Sequence, residues 1–292
     1  GDRVGLAPAR CLADEGITMK LKQLPTSLMM AYRLKGLDSH ALYQRSNSAL
    51  PVIISLTSIP SRLKAVALTV RSLLAQDVPA TKIILWLNTG LRQQIPRALL
   101  ELEGDIFTIE YVEFTCPHRK LIHTLERYPD QVIVTCDDDL MYPADWLHRL
   151  YQDHLRYPQA IIAHECRKIE FEQCGLPKPY HQWPVEDGCD LTHPWFMSIG
   201  YGGVLYPPNA LHGDVQQRDL FLALTPRADD LWFKAMSLMA GTEVRRSSAP
   251  GRKPIPILGT QKVALKRTNV RGEGNTEQWR ALYAHYDLQR FR

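Results

Sequence analysis

Residues 131–143 read Gln-Val-Ile-Val-Thr-Cys-Asp-Asp-Asp-Leu-Met-Tyr-Pro, and this stretch is the most informative part of the sequence. Its first half is a continuous apolar run of the kind that forms a buried strand. The strand leads into Asp137, Asp138 and Asp139, whose mutual repulsion must be compensated by a cation or by donors. Hard carboxylate oxygens suit Mg²⁺ or Mn²⁺. The stretch therefore predicts a metal site at a strand end or, alternatively, a solvated acidic turn before a helix at Ala144–Tyr157.

The composition is that of an ordinary globular protein. The chain has 292 residues, 45% hydrophobic and 23% charged, and its formal net charge is +4. Its apolar runs are shorter than the roughly 20 residues that a membrane-spanning helix needs. The modest charge gives no reason to expect nucleic acid, although basic clusters at both ends fit an anionic membrane surface or a phosphate-bearing acceptor.

The cysteines and the first residue bear on where the protein acts. None of the six cysteines belongs to a Cys-x-x-Cys pair, which favours a reducing cytoplasm, with peripheral contact at the inner membrane as a further expectation. The chain begins with Gly1 rather than methionine. This leaves open that it is part of a longer multidomain protein.

Strands and amphipathic helices alternate from Pro51 onward. The predicted strands are Pro51–Ile59, Lys82–Asn88, Phe107–Phe114, Gln131–Cys136 and Ile161–His164, and the predicted helices are Leu63–Gln76, Pro96–Leu102, His118–Tyr128 and Ala144–Tyr157. This alternation predicts an α/β fold with a mostly parallel sheet covered by helices on both faces. Such sheets bind ligands beyond the carboxyl ends of their strands, where Asp137–Asp139 and Thr57–Arg62 are expected.

Five segments carry the candidate chemistry, and they are Ser55–Arg62, Lys120–Leu121, Asp137–Asp139, the glycine-rich Ser198–Pro208 and the acidic Arg227–Lys234. Their order resembles that of GT-A-type nucleotide-sugar glycosyltransferases, particularly bacterial enzymes that build lipopolysaccharide, O-antigen or capsule. The resemblance spans Pro51 to Gln278. It implies a GT-A-like, Rossmann-like sheet and metal-dependent transfer of a hexose, with galactose or glucose as guesses. The donor would be a UDP-sugar and the acceptor a glycan or lipid-linked glycan.

The resemblance also implies a domain division. Residues 1–50 form an N-terminal helical extension around the weakly amphipathic pattern Leu28–Leu37, with Lys20, Lys22 and other basic residues nearby. Residues 51–258 form a single GT-A-like catalytic domain. Residues 259–292 form a C-terminal loop and helix, in which the polar Asn269–Thr276 precedes a helix at Thr276–Arg290.

The resemblance assigns roles to individual residues. Nucleotide binding is implied for Thr57, Ser58, Arg62, Lys120, Asp137 and Asp138. The metal, Mn²⁺ or Mg²⁺, is implied on Asp139 together with Asp137 through the Asp-x-Asp motif. A sugar-acceptor pocket is implied at Trp195, Tyr201, Gly202 and Gly203. Asp230, with Asp229 as the alternative, is implied as the base of an inverting reaction, although Asp229 is equally suited to cap the following helix.

Two other classes of protein stay open at this stage. Clustered aspartates also build the two-metal sites of nucleases and phosphotransferases. Against that class, the chain lacks a strongly basic stripe and has no Asp-x-Asp-x-Thr after the first strand. A non-catalytic sugar-binding module is the third option, but it would not need both the Asp triplet and the later acidic pair.

Overall fold

The computed structural model describes residues 23–38, 42–43, 49–260 and 274–292. The strands in these ranges are β1 Leu50–Thr57, β2 Ala80–Asn88, β3 Phe107–Val112, β4 Val132–Thr135, β5 Leu140–Met141, β6 Ile161–Ala163, β7 Cys166–Lys168, β8 Phe196–Ser198, β9 Val204–Tyr206, β10 Val244–Arg246 and β11 Ile255–Pro256. The α-helices are α1 Leu24–Gly36, α2 Leu63–Leu74, α3 Arg97–Leu100, α4 Arg119–Arg127, α5 Trp146–Arg156, α6 Arg218–Leu224, α7 Asp229–Met239 and α8 Gly274–His285.

Seven strands form the central sheet, in the order β10-β6-β9-β4-β1-β2-β3. The neighbouring pairs are parallel except those made by β9, which runs antiparallel to both β4 and β6. The predicted mostly parallel α/β sheet is therefore confirmed. Because β9 is reversed, its first residue pairs at the end of β4, with Val204 opposite Thr135.

Helices cover both faces of this sheet, as predicted. On one face α2 and α5 bury residues such as Val70 and Leu147 against Ile54 and Val134 of β1 and β4. On the opposite face α4, α7 and α8 form the second large core, which includes Ile133. Successive residues of β4 thus enter different cores, because side chains alternate between the two faces of a strand.

Several helix ends differ from the predicted ones. Helix α5 begins at Trp146 rather than Ala144, because the Ala144 carbonyl accepts a hydrogen bond from the Asp77 N–H and belongs to the preceding loop. The last helix, α8, stops at His285. It stops there because Asp287 adopts a left-handed conformation with φ 47°, and a short 3₁₀ turn follows at Leu288–Phe291.

The parts outside the predicted catalytic range pack onto it. Helix α1 contacts α2 and β11, with Leu34 buried beside Ile257, and α8 places Trp279 in the core that also contains α7. The proposed domain division stays a prediction. Most of the predicted loop Asn269–Thr276, together with Lys20 and Lys22, lies outside the described residues. Every helix in the described ranges is too short or too polar to cross a lipid bilayer.

Candidate active site

Three segments meet at the edge of the sheet where the parallel strands end. Strand β1 ends at Thr57 and β4 leads into Asp137. The reversed strand β9 begins at this edge, so the preceding turn Gly200–Gly202 lies there as well. The first turn of α7 joins them, because the Gly200 N–H donates to Asp230 Oδ2 at 3.0 Å. Local chain geometry thus brings the Asp triplet and the acidic pair to one place.

The three aspartates of the triplet have different surroundings. Asp138 is 4% exposed, and its carboxylate accepts hydrogen bonds from Ser58 Oγ and, at 2.7 Å, from Arg62 Nη1. Asp139 faces the same guanidinium, with 3.2 Å between Arg62 Nη2 and Oδ2. The Asp137 side chain is 37% exposed and is the most open of the three. Asp138 therefore anchors the strand end to the Ser58–Arg62 loop, and its contact with a nucleotide stays a prediction.

A buried lysine connects the triplet with the acidic pair. Lys120 Nζ lies 3.2 Å from Asp137 Oδ1 and 2.9 Å from Asp229 Oδ2, and its side chain is 7% exposed. Burial alone would lower the pKa of Lys120, but the charges of Asp229, Asp137 and Asp230 outweigh burial and hold it well above its usual range. Lys120 is therefore a permanent cation between the two groups of carboxylates.

The two carboxyls of the acidic pair differ in protonation. Burial raises the pKa of Asp230 to about 7, and the neighbouring negative charge of Asp229 adds to that effect. The pKa of Asp229 is lowered instead, because the attraction of Lys120 exceeds the effect of burial. Asp230 is partly exposed while Asp229 is buried. A carboxyl that exchanges its proton near neutral pH and can be reached from solvent suits a general base.

Asp229 is not the N-cap of its helix. The N-cap position is occupied by Ala228, and both aspartates lie in the first turn of α7. Carboxylates at this end of a helix are stabilised by the helix dipole and by unpaired backbone N–H groups. The helix therefore fixes the direction of both side chains.

Gly200 fits the site because it lacks a side chain. A Cβ at this position would lie 2.8 Å from Lys120 Nζ and 2.9 Å from Asp230 Oδ1, distances that real Cβ atoms do not tolerate. We expect Gly200→Ala to displace one of these charged groups and to lower the rate of a reaction catalysed at this site about 100-fold, as small misplacements of reacting groups do. Steady-state assays and thermal unfolding would measure this. Gly213→Ala is the matched control, since its added Cβ meets nothing within 4 Å, and equal losses in both variants would contradict the assignment.

Asp137 and Asp139 are the residues that fit a divalent metal. Burial, together with the charges of Asp137 and Asp138, raises the pKa of Asp139 to about 7 despite Arg62. A cation at this position would relieve that penalty. Among the described residues no group of three or more His, Cys, Asp and Glu side chains is arranged to hold a metal ion. Two carboxylates still match Mg²⁺ or Mn²⁺, because such ions usually take the rest of their ligands from water and substrate phosphates.

Thr57 and Ser58 are held by a residue that the sequence analysis missed. The buried Arg119 donates from Nε to Thr57 Oγ1 at 2.6 Å and from Nη2 to the Ser58 carbonyl at 2.8 Å. Thr57 Oγ1 also donates to the Trp86 carbonyl at 2.8 Å. These contacts shape the loop after β1 from within. The sequence feature that could have identified Arg119 is its position as a second basic residue beside Lys120 on the same helix.

The predicted acceptor residues do not all line an accessible pocket. Trp195 is 6% exposed and packs edge-on against Phe171, with 4.8 Å between ring centroids, so its ring is part of the core and offers no sugar platform here. Close packing explains why glycine occupies positions 202 and 203. A Cβ on Gly202 would meet the Glu165 side chain at 2.9 Å, while Gly203 has φ 101° and lies against the ring of Trp146.

Tyr201 is the remaining member of the predicted acceptor group. Its side chain is partly exposed, and its carbonyl accepts a hydrogen bond from the Tyr142 hydroxyl at 3.1 Å. The same hydroxyl accepts from the Asp137 N–H at 2.9 Å. Tyr142 therefore ties the glycine-rich turn to the Asp triplet, and Tyr201 stays a prediction for the acceptor side.

Comparison of the sequence with protein-family models and with curated proteins finds no match. Among solved structures, the chain is similar to TarS 1-349 from S. aureus, also solved with UDP and with UDP-GlcNAc, at 13% identity over 70% of this chain and 59% of that chain, with a TM-score of 0.47. It is also similar to the mannosyltransferase PcManGT from Pyrobaculum calidifontis in complex with GDP-Man and Mn²⁺, at 14% identity over 91% of this chain and 73% of that one, with a TM-score of 0.48. The chain thus spans less than two thirds of the TarS chain.

Proposed function

We propose that this protein is a metal-dependent glycosyltransferase that moves a hexose from a UDP-sugar to a glycan acceptor. One observation carries the proposal. The strand-end carboxylates Asp137 and Asp139 and the helix-end carboxylates Asp229 and Asp230 meet at the carboxyl edge of a mostly parallel sheet, joined by Lys120. The strand-end carboxylates suit the binding of a metal–diphosphate, and the helix-end carboxylates suit the role of a general base. Direct transfer of a sugar from a nucleotide requires both.

The donor would occupy the edge formed by β1 and β4. Asp137 and Asp139 would hold Mn²⁺ or Mg²⁺, which as a Lewis acid stabilises negative charge on the departing diphosphate. Arg62 offers a planar donor fork at the same place, with a side chain 16% exposed and now directed at Asp138 and Asp139. With a metal on Asp139, Arg62 would keep its contact with Asp138 and would offer its other donors to the diphosphate.

The acceptor would approach from the side of α7. Asp230 removes the proton from the acceptor hydroxyl as that oxygen forms a bond to the anomeric carbon. The bond between that carbon and the diphosphate oxygen breaks, and UDP leaves with the bonding electron pair. Attack from the face opposite the diphosphate inverts the anomeric configuration. Asp230 is preferred to Asp229 because Asp229 is buried and paired with Lys120.

The identities of the hexose and of the acceptor are also part of the proposal. Galactose and glucose are the hexoses that we propose to test first, with surface polysaccharide, lipopolysaccharide or O-antigen glycans as acceptors. A phosphotransferase or nuclease remains the second candidate, since clustered carboxylates also serve two-metal chemistry. Asp138 weakens that candidate, because its carboxylate is already occupied by Ser58 and Arg62.

Metal-dependent binding of UDP is the test of this proposal. We expect isothermal titration calorimetry to show UDP binding to the wild type in Mn²⁺, little binding without the metal, and loss of the metal-dependent part in Asp139→Ala. The reason is that the metal is the bridge between carboxylate and diphosphate. Asp130→Ala is the control, because Asp130 is an exposed carboxylate before β4 and outside the site.

The outcomes separate the candidate functions. Absence of UDP binding in the wild type under every metal condition would reject the UDP-sugar donor. Metal-dependent cleavage of phosphodiester or phosphomonoester substrates would then favour the second candidate. UDP binding that persists in Asp139→Ala would place the nucleotide away from the triplet. Thermal unfolding of each variant verifies that loss of binding is not loss of fold.

A further inference from the structure

Helix α1 exposes an apolar stripe on the side that faces away from the protein. Its inner side packs on α2 and β11, with Ser27 and Leu34 buried. On the outer side Leu28 is 51% exposed, Met29 is 69% exposed and Tyr32 is 83% exposed. Three large apolar side chains adjacent on one helix are unusual for a surface that faces only water.

Basic residues border this stripe. Leu28 and Tyr32 are one turn apart on the helix, and Lys35 continues their row. Met29 and Arg33 form the neighbouring row in the same way, and both basic side chains are exposed. The segment Leu24–Gly36 contains no Asp or Glu. An exposed apolar stripe with cations along its border, on a helix without an anion, is complementary to an anionic lipid surface.

The charge pattern distinguishes the possible occupants. A second copy that docked through the same helix would bring Arg33 and Lys35 of both copies together without an opposing carboxylate on α1, which is unfavourable. An anionic lipid surface supplies the missing negative charge. It also takes up apolar and tyrosine side chains at the depth of the headgroups, while long basic side chains reach outward to the phosphates.

The helix is linked directly to the candidate active site. Ser27 Oγ donates to the Pro256 carbonyl of β11 at 2.8 Å. The next residue of that segment, Ile257, donates its N–H to the Asp139 carbonyl at 2.9 Å. Strand β11 also pairs with β5, which follows the Asp triplet. Only α1 and the two-stranded β11–β5 sheet would therefore separate a surface bound at the stripe from the triplet.

We infer that α1 is a docking surface for anionic membranes, with Leu28, Met29 and Tyr32 inserted among the headgroups and with Arg33 and Lys35 on the lipid phosphates. Binding to lipid does not depend on the proposed transferase activity. If that activity is present, docking brings the site to a membrane-borne acceptor.

Vesicle flotation with the full chain tests this inference. The vesicles are phosphatidylcholine alone and phosphatidylcholine with phosphatidylglycerol. We expect the wild type to float with the anionic vesicles and not with the neutral ones. The triple variant Leu28→Ser, Met29→Ser, Tyr32→Ser should bind at least about tenfold more weakly, because it loses the inserted apolar surface. The matched control is Leu155→Ser, Leu176→Ser, Leu191→Ser, which replaces three apolar residues of similar exposure elsewhere.

A second pair of variants tests the charges. Arg33→Gln with Lys35→Gln should weaken binding about fivefold for each cation removed, and the difference should disappear in high salt. Arg280→Gln with Arg290→Gln removes the same charge from exposed positions at the other end of the chain and should have no effect.

Three outcomes would overturn the inference. They are absence of wild-type binding to anionic vesicles, equal binding of both vesicle types, and unchanged binding by the α1 triple variant. A wild-type dimer that the triple variant converts to a monomer, without lipid binding, would show that a second copy covers the stripe. Because the three side chains are exposed, we expect the variant to keep its unfolding temperature. If the triple variant unfolds at a lower temperature, the single variant Tyr32→Ser replaces it in the vesicle experiment.

Discussion

Replacing Asp230 by asparagine is expected to lower kcat of the proposed transfer from a UDP-sugar by about 10²–10⁴-fold, the usual contribution of a general base. The fold and the affinity for UDP should be retained. Asparagine has the same shape and still accepts the Gly200 N–H that now donates to Asp230 Oδ2. It also removes the repulsion from Asp229 that contributes to the raised pKa of Asp230. UDP release from the UDP-sugar that the wild type turns over is the measurement.

The matched control for this variant is Asp219→Asn. Asp219 is likewise in the first turn of a helix, α6, but it is exposed. Its replacement should leave kcat unchanged. An Asp230→Asn variant with wild-type kcat would exclude Asp230 as the base and direct attention to Asp229. Loss of UDP affinity in parallel with kcat would instead indicate that the substitution had disturbed the Asp137 side of the site.

The sheet followed from simple periodicity, whereas the different surroundings of the three aspartates did not. Strands that are apolar throughout and alternate with helices predicted the parallel sheet with two covered faces, and the structure confirms it. Beyond the end of β4, Asp138 is turned inward to Ser58 and Arg62, and Asp139 faces the other arm of the same guanidinium. Asp137 contacts Lys120 instead. These contacts join the triplet to distant segments, so the triplet's own sequence does not display them.

Other features depend on contacts between distant segments, which a single sequence does not display. The reversal of β9 has no local signature, yet it places Gly200 against Asp230. Trp195 was expected at the acceptor because aromatic rings line sugar pockets, but the same ring type fills cores, and here it packs against Phe171. Lys120 was expected at the nucleotide, and its contact with Asp229 could not be read from the spacing of the two residues.

The position of Lys120 has consequences for both halves of the candidate site. Asp137 on the donor side and Asp229 on the acceptor side share one ammonium group. A change of charge at either carboxylate alters the attraction that remains for the other. Binding of a metal–diphosphate at Asp137 would therefore strengthen the attraction between Lys120 and Asp229. Donor binding would in this way change the electrostatic environment of the proposed acceptor side.

Replacing Lys120 by methionine is expected to shift the pH dependence of activity upward and to destabilise the protein. In the wild type, transfer should rise with pH up to about 7, where Asp230 loses its proton, and then level off. Without the cation, the pKa values of Asp229 and Asp230 both rise, so the plateau begins at higher pH. Lys120→Arg should restore part of the original profile, which a purely structural effect would not do.

The contribution of Asp229 to stability should change with pH in opposite senses in the two proteins. In the wild type the folded-state pKa of Asp229 is lowered, so its contribution to stability is present above the unfolded-state pKa and is lost as the pH falls through the folded-state pKa. In Lys120→Met the folded-state pKa is raised by burial, so stability is lost as the pH rises. Loss of a buried partner costs about 3–5 kcal/mol when the charge remains, and urea unfolding should show a larger deficit at pH 8 than at pH 5.

The buried Lys234 supplies the control for the pH dependence of activity. It is 2% exposed and lies one turn after Asp230 on α7, but its Nζ donates to the Pro194 carbonyl at 2.6 Å. Burial lowers the pKa of Lys234 to about 7. Lys234→Met therefore removes a buried lysine without removing the partner of Asp229, and it should leave the pH profile of activity in place. If Lys120→Met and Lys234→Met shift that profile equally, Lys120 does not act through the acidic pair.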